Sequence, residues 1–375
     1  MTSLLILTMP YDDHADAVRW AMTELGHTCK RWFAVPPVAE PGFISIDMDS
    51  SKVSNFMGVD GPIELEKFNA VWDRRLLTPG FPIKMAEIDQ KMGAPEMRHF
   101  VKGGMWSLLY NQGTFLVNDP TAKHTADNKV YQLEAARLTG LNIPNTLFTN
   151  DSAEAQRFVA QAPEGTIYKS FKGHSWTNDD FNTVTYASLV TEDDFGSEAD
   201  LEYCPGIFQH FKPKAYELRV SIFGHTAIAA KISNQNPVDW RSEQHSMTLE
   251  PYTLPSKIET LLFQLMARLG IVMGMADLIV TEDGEYVFLE INEQGQFTWV
   301  ESRNPEICVI EPFARFLASR DPSFKWKPAG PPSLTLRNYL SSESREQFNE
   351  YSRNTHWPEF PAMCLQSAAE LTPLV

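Results

Sequence analysis

Hydrophobic and polar residues alternate in two neighbouring stretches of the chain, Ala276–Thr281 and Tyr286–Asn292. This alternation predicts two β-strands, and the Asp-Gly pair between them, at 283 and 284, is a strong signal for a hairpin. If these two residues form the turn, Asp277 lies directly opposite Glu290, and Asn292 shares their face because side chains alternate along a strand. The opposite face is then apolar and consists of Ala276, Leu278, Val280, Val287, Leu289 and Ile291.

The two opposed carboxylates indicate a cation site on this hairpin. Like charges directly across a strand pair destabilise a sheet, and Asp277 and Glu290 would lie that close. A cation between them removes the repulsion, and an oxygen-only set that includes the Asn292 amide suits Mg²⁺. The alternative is an amphipathic hairpin whose acidic face simply meets water. The repulsion and the strongly apolar opposite face favour the metal site.

The first third of the chain alternates between short apolar stretches and helical periodicity. The predicted elements are strands at Ser3–Met9, Ala70–Arg74 and Thr114–Val117, and helices at Asp13–Leu25 and Glu96–Tyr110. This order of strands and helices is typical of an open α/β domain. We place that domain at residues 1–118.

From residue 119 onward the pattern changes to longer helices and hairpins. The predicted elements are helices at Asp127–Thr139, Ser152–Gln161, Ser256–Leu269 and Ile310–Ser319, and a hairpin that pairs Tyr216–Ile222 with Thr226–Ile232. The polar stretch 172–182 is expected to be a mobile loop. We therefore expect a central subdomain over 119–212, a C-terminal subdomain over 213–327 and an extension of unassigned role over 328–375.

Composition narrows the class of protein. The 375 residues carry a formal net charge of −16, whereas nucleic-acid-binding surfaces are basic. The 4 cysteines lie far apart, without a CxxC motif or a disulfide rhythm, which is typical of a reducing cytosol. No stretch reaches the roughly 18 apolar residues that a membrane span needs. We therefore expect a cytoplasmic protein that binds neither nucleic acid nor membrane.

A magnesium site of this kind commonly accompanies a bound nucleotide. The sequence has neither a GxxxxGK[ST] loop nor a GxGxxG turn after a strand, so cationic side chains would have to contact the phosphates. Lys129 lies in the first turn of its predicted helix, and Lys169 lies within a predicted strand, Thr166–Phe171. Arg219 shares a strand face with Glu217. Taken singly, each lysine is more typical of a protein surface than of a site.

The order of these parts resembles the ATP-grasp superfamily, and the wording resembles its microviridin-type graspetide synthetases and their RimK-like relatives. The matching phrases span about residues 115–320 and are VNDPTAKHTADNKVYQLEAARLTGLNIPNTLFTN, IYKSF, IFQHFKPKAYELRV, NPVDWR and DLIVTEDGEYVFLEINEQGQFTWVE. AVWDRR, nearer the N-terminus, is a looser match. The resemblance implies an ATP-grasp fold of mixed α/β and α+β class, with an N-terminal open α/β domain, a central subdomain and a C-terminal metal-binding subdomain.

The resemblance also implies a role for each matching residue. The implied ATP contacts are Lys129, Lys169, Gln209, His210, Phe211 and Glu217, with the segment 209–211 against adenine. The implied Mg²⁺ ligands are Asp277, Glu290 and Asn292, the set that the hairpin geometry also predicts. The implied catalytic residues are Arg219 and Arg241, which would stabilise the transferring phosphoryl group and an acyl phosphate. One departure is the stretch 172–182, which has one glycine where many ATP-grasp enzymes have several.

The activity implied by the resemblance is the ATP-dependent activation of a carboxylate as an acyl phosphate, followed by attack of a hydroxyl or an amine. In graspetide synthetases both groups belong to one ribosomally made precursor peptide, so ester or amide macrocycles result. The first alternative is a RimK- or glutathione-synthetase-like ligase that adds an amino acid to a small molecule or a protein terminus. The second is a non-catalytic nucleotide-binding scaffold, against which the complete set of implied ligands argues.

The implied partner is a precursor peptide whose leader docks as a helix near the central subdomain. The acidic run Glu192, Asp193 and Asp194 lies about where that contact would fall, and it could pair with a basic leader residue. A solvated charged connector is the more common role of such a run. Because homodimers are common in the family, dimer formation is a further expectation from the resemblance.

Overall fold

A computed structural model describes residues 1–33, 45–47, 52–54, 57–75, 86–100, 106, 109–110, 113–171, 175–177, 182–184, 187–195, 198–234, 236, 238 and 247–354. The strands are β1 Ser3–Thr8, β2 Thr28–Phe33, β3 Ser45–Asp47, β4 Lys52–Ser54, β5 Met57–Gly58, β6 Gly61–Pro62, β7 Ala70–Asp73, β8 Phe115–Val117, β9 Thr146–Thr149, β10 Thr166–Lys169, β11 Ser175–Thr177, β12 Asn182–Val184, β13 Ser188–Val190, β14 Gly206–His210, β15 Tyr216–Phe223, β16 Thr226–Ser233, β17 Thr248–Tyr252, β18 Met273–Val280 and β19 Tyr286–Asn292. The helices are α1 Asp13–Glu24, α2 Glu87–His99, α3 Pro120–Ala126, α4 Lys129–Thr139, α5 Ser152–Ala160, α6 Glu198–Tyr203, α7 Ser256–Leu269, α8 Thr298–Arg303, α9 Ile310–Ser319, α10 Leu336–Leu340 and α11 Glu343–Asn354. Short 3₁₀ turns lie at Leu65–Lys67 and Glu192–Asp194.

The N-terminal part contains a parallel sheet in the order β2-β1-β7-β8. A parallel sheet is normally covered on both faces, and the alternation along β1 shows both layers. Leu4 and Ile6 pack in one hydrophobic cluster, whereas Leu5 and Leu7 pack in another. The predicted open α/β arrangement is therefore confirmed, with β2 as an additional strand.

Two helices of this region differ from the prediction. The helix expected at Glu96–Tyr110 begins earlier, because α2 continues through Pro95 and ends at His99, whereas residues 106, 109 and 110 are helical as predicted. Proline usually breaks a helix interior, but this one lies inside α2. Helix α3 was missed, although Asp119 caps it by accepting hydrogen bonds from two backbone amides and Pro120 occupies its first turn. Both are ordinary signals for a helix start.

The rest of the described chain forms two large antiparallel sheets and a two-stranded one, β11-β12. The central sheet has the order β13-β10-β14-β9, with α5 packed on one face, and the C-terminal sheet has the order β17-β16-β15-β18-β19. Helices α7 and α9 have the predicted bounds, and Gly270 ends α7 in the left-handed conformation at φ 72°. The mixed α/β and α+β class of the ATP-grasp fold is confirmed. The stretch 172–182 lies outside the described residues except for 175–177 and 182.

The β18–β19 hairpin differs from the prediction at its turn. The turn has three residues, Glu282 to Gly284, because Thr281 and Glu285 are the last bonded pair and Gly284 takes φ 84°. A β-bulge then shifts the register between Asp277 and Leu278, so Leu278 pairs with Phe288. The three-residue turn shifts the strand pairing by one residue, and the extra residue at the bulge shifts it back. Asp277 therefore pairs with Glu290 as predicted.

The bulge also changes the composition of the apolar face. Phe288, rather than the predicted Leu289, joins Leu278 and Val280 in the hydrophobic cluster beneath the C-terminal sheet. Leu289 is half-buried. Val287 pairs with Ile279 and lies on the other face. The predictions for Val287 and Leu289 were wrong because they assumed strict alternation through a bulge, where two residues of one strand oppose one residue of the other.

The N-terminal sheet and the C-terminal subdomain share one hydrophobic core. Trp72 of β7 packs against Phe297 and Phe313 at ring-centroid distances of 6.3 and 4.9 Å, and Phe223 of β15 contacts the same two rings. The described part of the C-terminal extension also packs onto the N-terminal part, because α10 and α11 contact α1. Since these parts share a core, the boundaries predicted for the domains stay a prediction.

None of the helices in the described part of the chain is long and apolar enough to cross a membrane. Cys29, Cys204 and Cys308 are free thiols.

Candidate active site

Three strands of the C-terminal sheet align a cation and two carboxylates in one row. Arg219 of β15 pairs with Asp277 of β18, which pairs with Glu290 of β19. Directly paired residues point to the same face of a sheet, so the three side chains lie side by side. Arg219 Nη1 donates to both oxygens of Asp277 at 2.8 Å, and both side chains are buried. The Asn292 amide lies 3.3 Å from Glu290 Oε1.

Helix α4 delivers a second cation to this row. Lys129, the first residue of α4, donates to Glu290 Oε2 at 2.7 Å. Burial works against the charged ammonium, but the Glu290 carboxylate outweighs it and raises the pKa of Lys129. Asn128 caps the helix by accepting a hydrogen bond from the Tyr131 amide. The predicted lysine in the first turn of a helix is therefore part of the site.

Gln132 holds α4 against the β18–β19 hairpin, and the sequence analysis assigned it no role. Its side chain is fully buried and bonds the backbone of Ile291 twice, accepting from the amide at 2.9 Å and donating to the carbonyl at 2.8 Å. Ile291 lies between Glu290 and Asn292. Because Gln132 lies one turn after Lys129, this anchor sets the distance from Lys129 to Glu290. The phrase NKVYQL in the family resemblance contained the signal.

The row fits Mg²⁺ by the chemistry of its donors. Asp277, Glu290 and Asn292 offer two carboxylates and an amide oxygen, and hard cations such as Mg²⁺ prefer oxygen ligands. The described residues contain no group of three or more His, Cys, Asp or Glu that could hold a metal ion, and the candidate set takes only two carboxylates and adds an amide oxygen. Arg219 and Lys129 balance the two carboxylates in the structure described here.

The central sheet places Lys169 and Gln209 on one face. Lys169 pairs with Ile207 and Gln209 pairs with Ile167, so alternation puts both side chains on the face opposite α5. Gln209 is buried and donates to the Thr146 hydroxyl at 3.0 Å. These two predicted nucleotide contacts therefore lie on one surface.

The ring of His210 points to the other face of that sheet. It packs against the ring of Phe158 of α5 at a tilt of 45°, with ring centroids 4.3 Å apart, and Nε2 lies 3.3 Å from the Phe158 carbonyl oxygen. Any adenine contact by His210 would therefore involve its backbone. The amide of Phe211 donates to the Gly165 carbonyl at 2.8 Å. The predicted roles treated residues 209–211 alike, although neighbouring side chains of a strand point to opposite faces.

Glu217 lies on the same face of β15 as Arg219, as predicted, and it is buried. Lys214, which sequence reasoning missed, donates to Glu217 at 2.5 Å and is itself buried. Arg241, the second predicted catalytic arginine, lies outside the described residues, so its role stays a prediction.

The acidic run forms the exposed 3₁₀ turn Glu192–Asp194. Asp194 caps the turn, because it accepts hydrogen bonds from the amide and hydroxyl of Thr191 at 2.7 and 2.9 Å. Glu192 and Asp193 are exposed to solvent. The turn contacts α5 of the central subdomain.

The N-terminal part brings further charged residues toward the β18–β19 hairpin, and their position there was not predicted. Arg74 is fully buried, donates to the Gln294 carbonyl at 2.6 Å and lies 3.5 Å from Asp12. Burial lowers the pKa of Arg74 to about 10, although Asp12 acts in the opposite direction. Asp73 accepts from Lys123 at 2.7 Å. The match of AVWDRR to the family was the only hint.

Comparisons with known proteins agree with this geometry. No family model matches the chain, and no curated protein does. Among solved structures, macrocyclase MdnC of Microcystis aeruginosa MRC, bound with precursor peptide MdnA, is 28% identical with a TM-score of 0.72, over 85% of this chain and 100% of that chain. A RiPP-associated ATP-grasp ligase of Chryseobacterium gregarium, in complex with ADP and a leader and core peptide, is 25% identical with a TM-score of 0.75, over 86% and 98% of the two chains. Macrocyclase MdnB of Microcystis aeruginosa MRC is 26% identical with a TM-score of 0.70, over 84% and 99%.

The similarity thus extends over nearly the full length of each of these enzymes. From its fold and these similarities, the chain is an ATP-grasp ligase that resembles these peptide macrocyclases.

Proposed function

We propose that this protein uses Mg²⁺ and ATP to crosslink side chains within a ribosomally made precursor peptide. The peptide supplies an Asp or Glu carboxylate and a Ser or Thr hydroxyl or a Lys amine. The product is an ester or amide macrocycle, and ADP and phosphate are released. The MdnC and Chryseobacterium structures, which contain a precursor peptide and leader and core peptides respectively, support this substrate class.

The reaction has two bond exchanges. A carboxylate oxygen of the peptide bonds to the γ-phosphorus of ATP as the bond to ADP breaks, which leaves an acyl phosphate. The hydroxyl or amine then bonds to the carbonyl carbon, phosphate leaves, and the proton of the nucleophile passes to phosphate or solvent. Each crosslink therefore removes the elements of one water from the peptide.

The residues of the chain would contribute mainly position and charge, as in other phosphoryl transfers. Asp277, Glu290 and Asn292 would hold Mg²⁺, which when bound neutralises the phosphates and polarises the transferring group. Lys129 and Lys169 would bind the phosphates. Arg219, which Asp277 and the Gln296 carbonyl keep in place, would stabilise the charge that develops on the phosphoryl group.

The remaining contacts are proposed from the family resemblance and their placement. Arg241 would stabilise the acyl phosphate, and Glu217, Gln209 and the backbone at 210–211 would contact the nucleoside. Glu192 and Asp193 are exposed beside the central subdomain and would pair with a basic residue of the leader. A homodimer remains an expectation from the resemblance.

The observation that carries the proposal is the alignment of Arg219, Asp277 and Glu290 across three adjacent strands. Taken singly, each of these residues could belong to an ordinary ion pair at a protein surface or in a core. Aligned, two carboxylates that we propose as metal ligands lie beside a cation in a chain 28% identical to a peptide macrocyclase. An arrangement of this kind is what phosphoryl transfer from Mg²⁺·ATP to a carboxylate requires.

Mass spectrometry tests the proposal. The peptide encoded beside this gene, if rich in Thr, Ser or Lys and in Asp or Glu, is incubated with the protein, Mg²⁺ and ATP. We expect the loss of one water per crosslink together with the release of ADP. ADP release with a mass gain equal to an added amino acid would instead establish a RimK-like ligase, and an unchanged peptide without ADP would contradict the proposal for that peptide.

A further inference from the structure

The loop that follows the metal hairpin, residues 293–298, is held by side chains from the N-terminal part. Asn118 Nδ2 donates to the Glu293 carbonyl at 2.9 Å, and Arg74 donates to the Gln294 carbonyl at 2.6 Å. In return, Gln294 Nε2 donates to the Asp73 carbonyl at 2.5 Å. Residues 293 and 294 of the loop are therefore held by hydrogen bonds to residues at the ends of β7 and β8.

His14 holds the other end of the same loop. Its Nε2 accepts a hydrogen bond from the Phe297 amide at 3.3 Å and lies 2.9 Å from the Thr298 hydroxyl. An accepting Nε2 requires a neutral ring. Burial, reinforced by the nearby Arg74 charge, lowers the pKa of His14 well below its usual value, which keeps the ring neutral.

These anchors all come from the carboxyl ends of the N-terminal parallel strands. Asp73 ends β7, Arg74 and Asn118 directly follow β7 and β8, and His14 lies in the first turn of α1 after β1. The sheet order places β2 on one side of β1 and β7 on the other, which makes the β1–β7 boundary a topological switch point. In open α/β sheets the crevice outside such a boundary commonly binds a ligand. Here the 293–298 loop lies against it.

The loop in turn contacts the reacting centre. Its first residue follows the metal-ligand candidate Asn292 directly, and the Gln296 carbonyl accepts from Arg219 Nη2 at 2.9 Å. Gly295 leaves no room for a side chain, because a Cβ there would lie 2.5 Å from Met275 Cγ and 2.9 Å from Arg219 Nη2. The loop is therefore in direct contact with Arg219 and covalently continuous with Asn292.

We infer that Arg74, with Asp73, Asn118 and His14, acts as a set of positioning residues that uses the N-terminal switch-point crevice to hold the 293–298 loop and thereby the metal and phosphoryl site. This inference rests on the proposed function, because it assigns the metal site to the row of Asp277 and Glu290. The N-terminal part is then a support for catalysis as well as a packing partner. Partners that orient metal ligands commonly affect metal affinity on the order of 10- to 100-fold when they are removed.

The test measures Mg²⁺-dependent binding of ADP by titration calorimetry, without peptide. The variants are Gln294→Ala, which removes the bond to Asp73 and keeps the carbonyl that accepts from Arg74, and Arg74→Lys, which keeps the charge and loses the fork geometry. We expect the Mg²⁺ concentration for half-maximal ADP binding to rise on the order of tenfold in each. Affinity at saturating Mg²⁺ should change little.

Asp60→Asn is the matched control. Asp60 pairs with Arg31, another buried arginine of the N-terminal part, at 2.9 Å, and neither residue bonds the loop among the described contacts. We expect this variant to lose thermal stability and to keep the wild-type Mg²⁺ dependence. An unchanged Mg²⁺ dependence in Gln294→Ala, or an equal change in Asp60→Asn, would overturn the inference.

Two features keep this test decisive. If Arg74→Lys does not fold, Gln294→Ala decides the question alone, because it removes a single hydrogen bond at a half-buried side chain. Because no peptide is present, failure of the crosslinking experiment leaves the Mg²⁺ titration interpretable. Conversely, normal crosslinking by a variant with altered Mg²⁺ dependence would support both conclusions.

Discussion

Arg219 and Asp277 form an ion pair between adjacent strands, in which one guanidinium nitrogen lies 2.8 Å from both carboxylate oxygens. Both side chains are buried, and removing one member of a buried ion pair leaves an uncompensated charge. The pair therefore couples the position of a proposed catalytic arginine to that of a proposed metal ligand. Changes at either residue should affect both folding and catalysis, so the sharper tests lie at their neighbours.

Glu290→Gln should abolish ATP turnover while the fold is retained. The substitution preserves shape but removes a proposed metal-ligand charge and the partner of Lys129. We expect ADP release to fall at least about 100-fold, since a bound metal supplies several kcal/mol of transition-state stabilisation. Glu285→Gln, in the same hairpin and 3.4 Å from Lys212, is the control and should keep wild-type turnover. Near-normal ADP release by Glu290→Gln would remove this residue from the metal set.

Lys169→Met should weaken ATP binding. Loss of a charge-assisted contact to phosphate costs about 1.5–3 kcal/mol, so we expect the KM for ATP to rise about tenfold or more. Steady-state kinetics with ATP varied at saturating peptide measures this change. Lys212→Met removes a lysine that pairs with Glu285 and should leave the KM unchanged. Equal KM values for the two variants would show that Lys169 makes no contact with the nucleotide.

Reversing the charge of Glu192 and Asp193 together should weaken binding of the precursor peptide and leave ADP binding intact. Both side chains are exposed, and a rim charge of this kind mainly affects the association rate and its salt dependence. The measurement is peptide affinity at low and at moderate salt for Glu192→Lys with Asp193→Lys. Glu164→Lys, at an exposed position of the same subdomain, controls for net charge. Parallel salt dependence in both proteins would argue for a solvated connector.

His14 should make the protein less stable in mild acid. Burial holds the pKa of its folded-state ring well below the unfolded value of about 6.5, so the unfolded chain binds the extra proton first as pH falls. The free energy of unfolding should therefore drop by up to about 1.4 kcal/mol per pH unit below pH 6.5, until the folded ring also titrates. Urea unfolding of wild type and His14→Gln between pH 7.5 and 5.5, about two units, measures the difference. Parallel pH profiles for the two proteins would exclude His14 as the source.

Much of the β18–β19 hairpin could be predicted from the local pattern of apolar and polar residues. Strand alternation and the Asp-Gly pair predicted that Asp277 faces Glu290, and the structure pairs them. The turn length and the bulge were not predicted, because turn type depends on backbone angles that several residue pairs tolerate. The two differences offset each other in register, so the facing pair was correct although the turn was wrong.

Helices with strong periodicity and a glycine stop were also predictable. Helix α7 has the expected bounds, since its apolar spacing and Gly270 both report local geometry. Helix α2 was misplaced because a proline that usually ends a helix lies inside this one. The predicted nucleotide contacts show a further limit of the sequence analysis. Gln209 and His210 were assigned to the same contact, but these adjacent residues point to opposite faces of the central sheet.

The amino-acid order alone was enough for the acidic pair, the amphipathic elements and the resemblance to ATP-grasp ligases, because each depends on residues close together in the chain. It did not reveal that Arg219 completes the row, that Gln132 anchors Lys129 beside Glu290, or that Arg74 and His14 hold the 293–298 loop. Those contacts join residues up to 284 positions apart. They depend on strand order, helix packing and a shared core, which leave no periodic trace in the sequence.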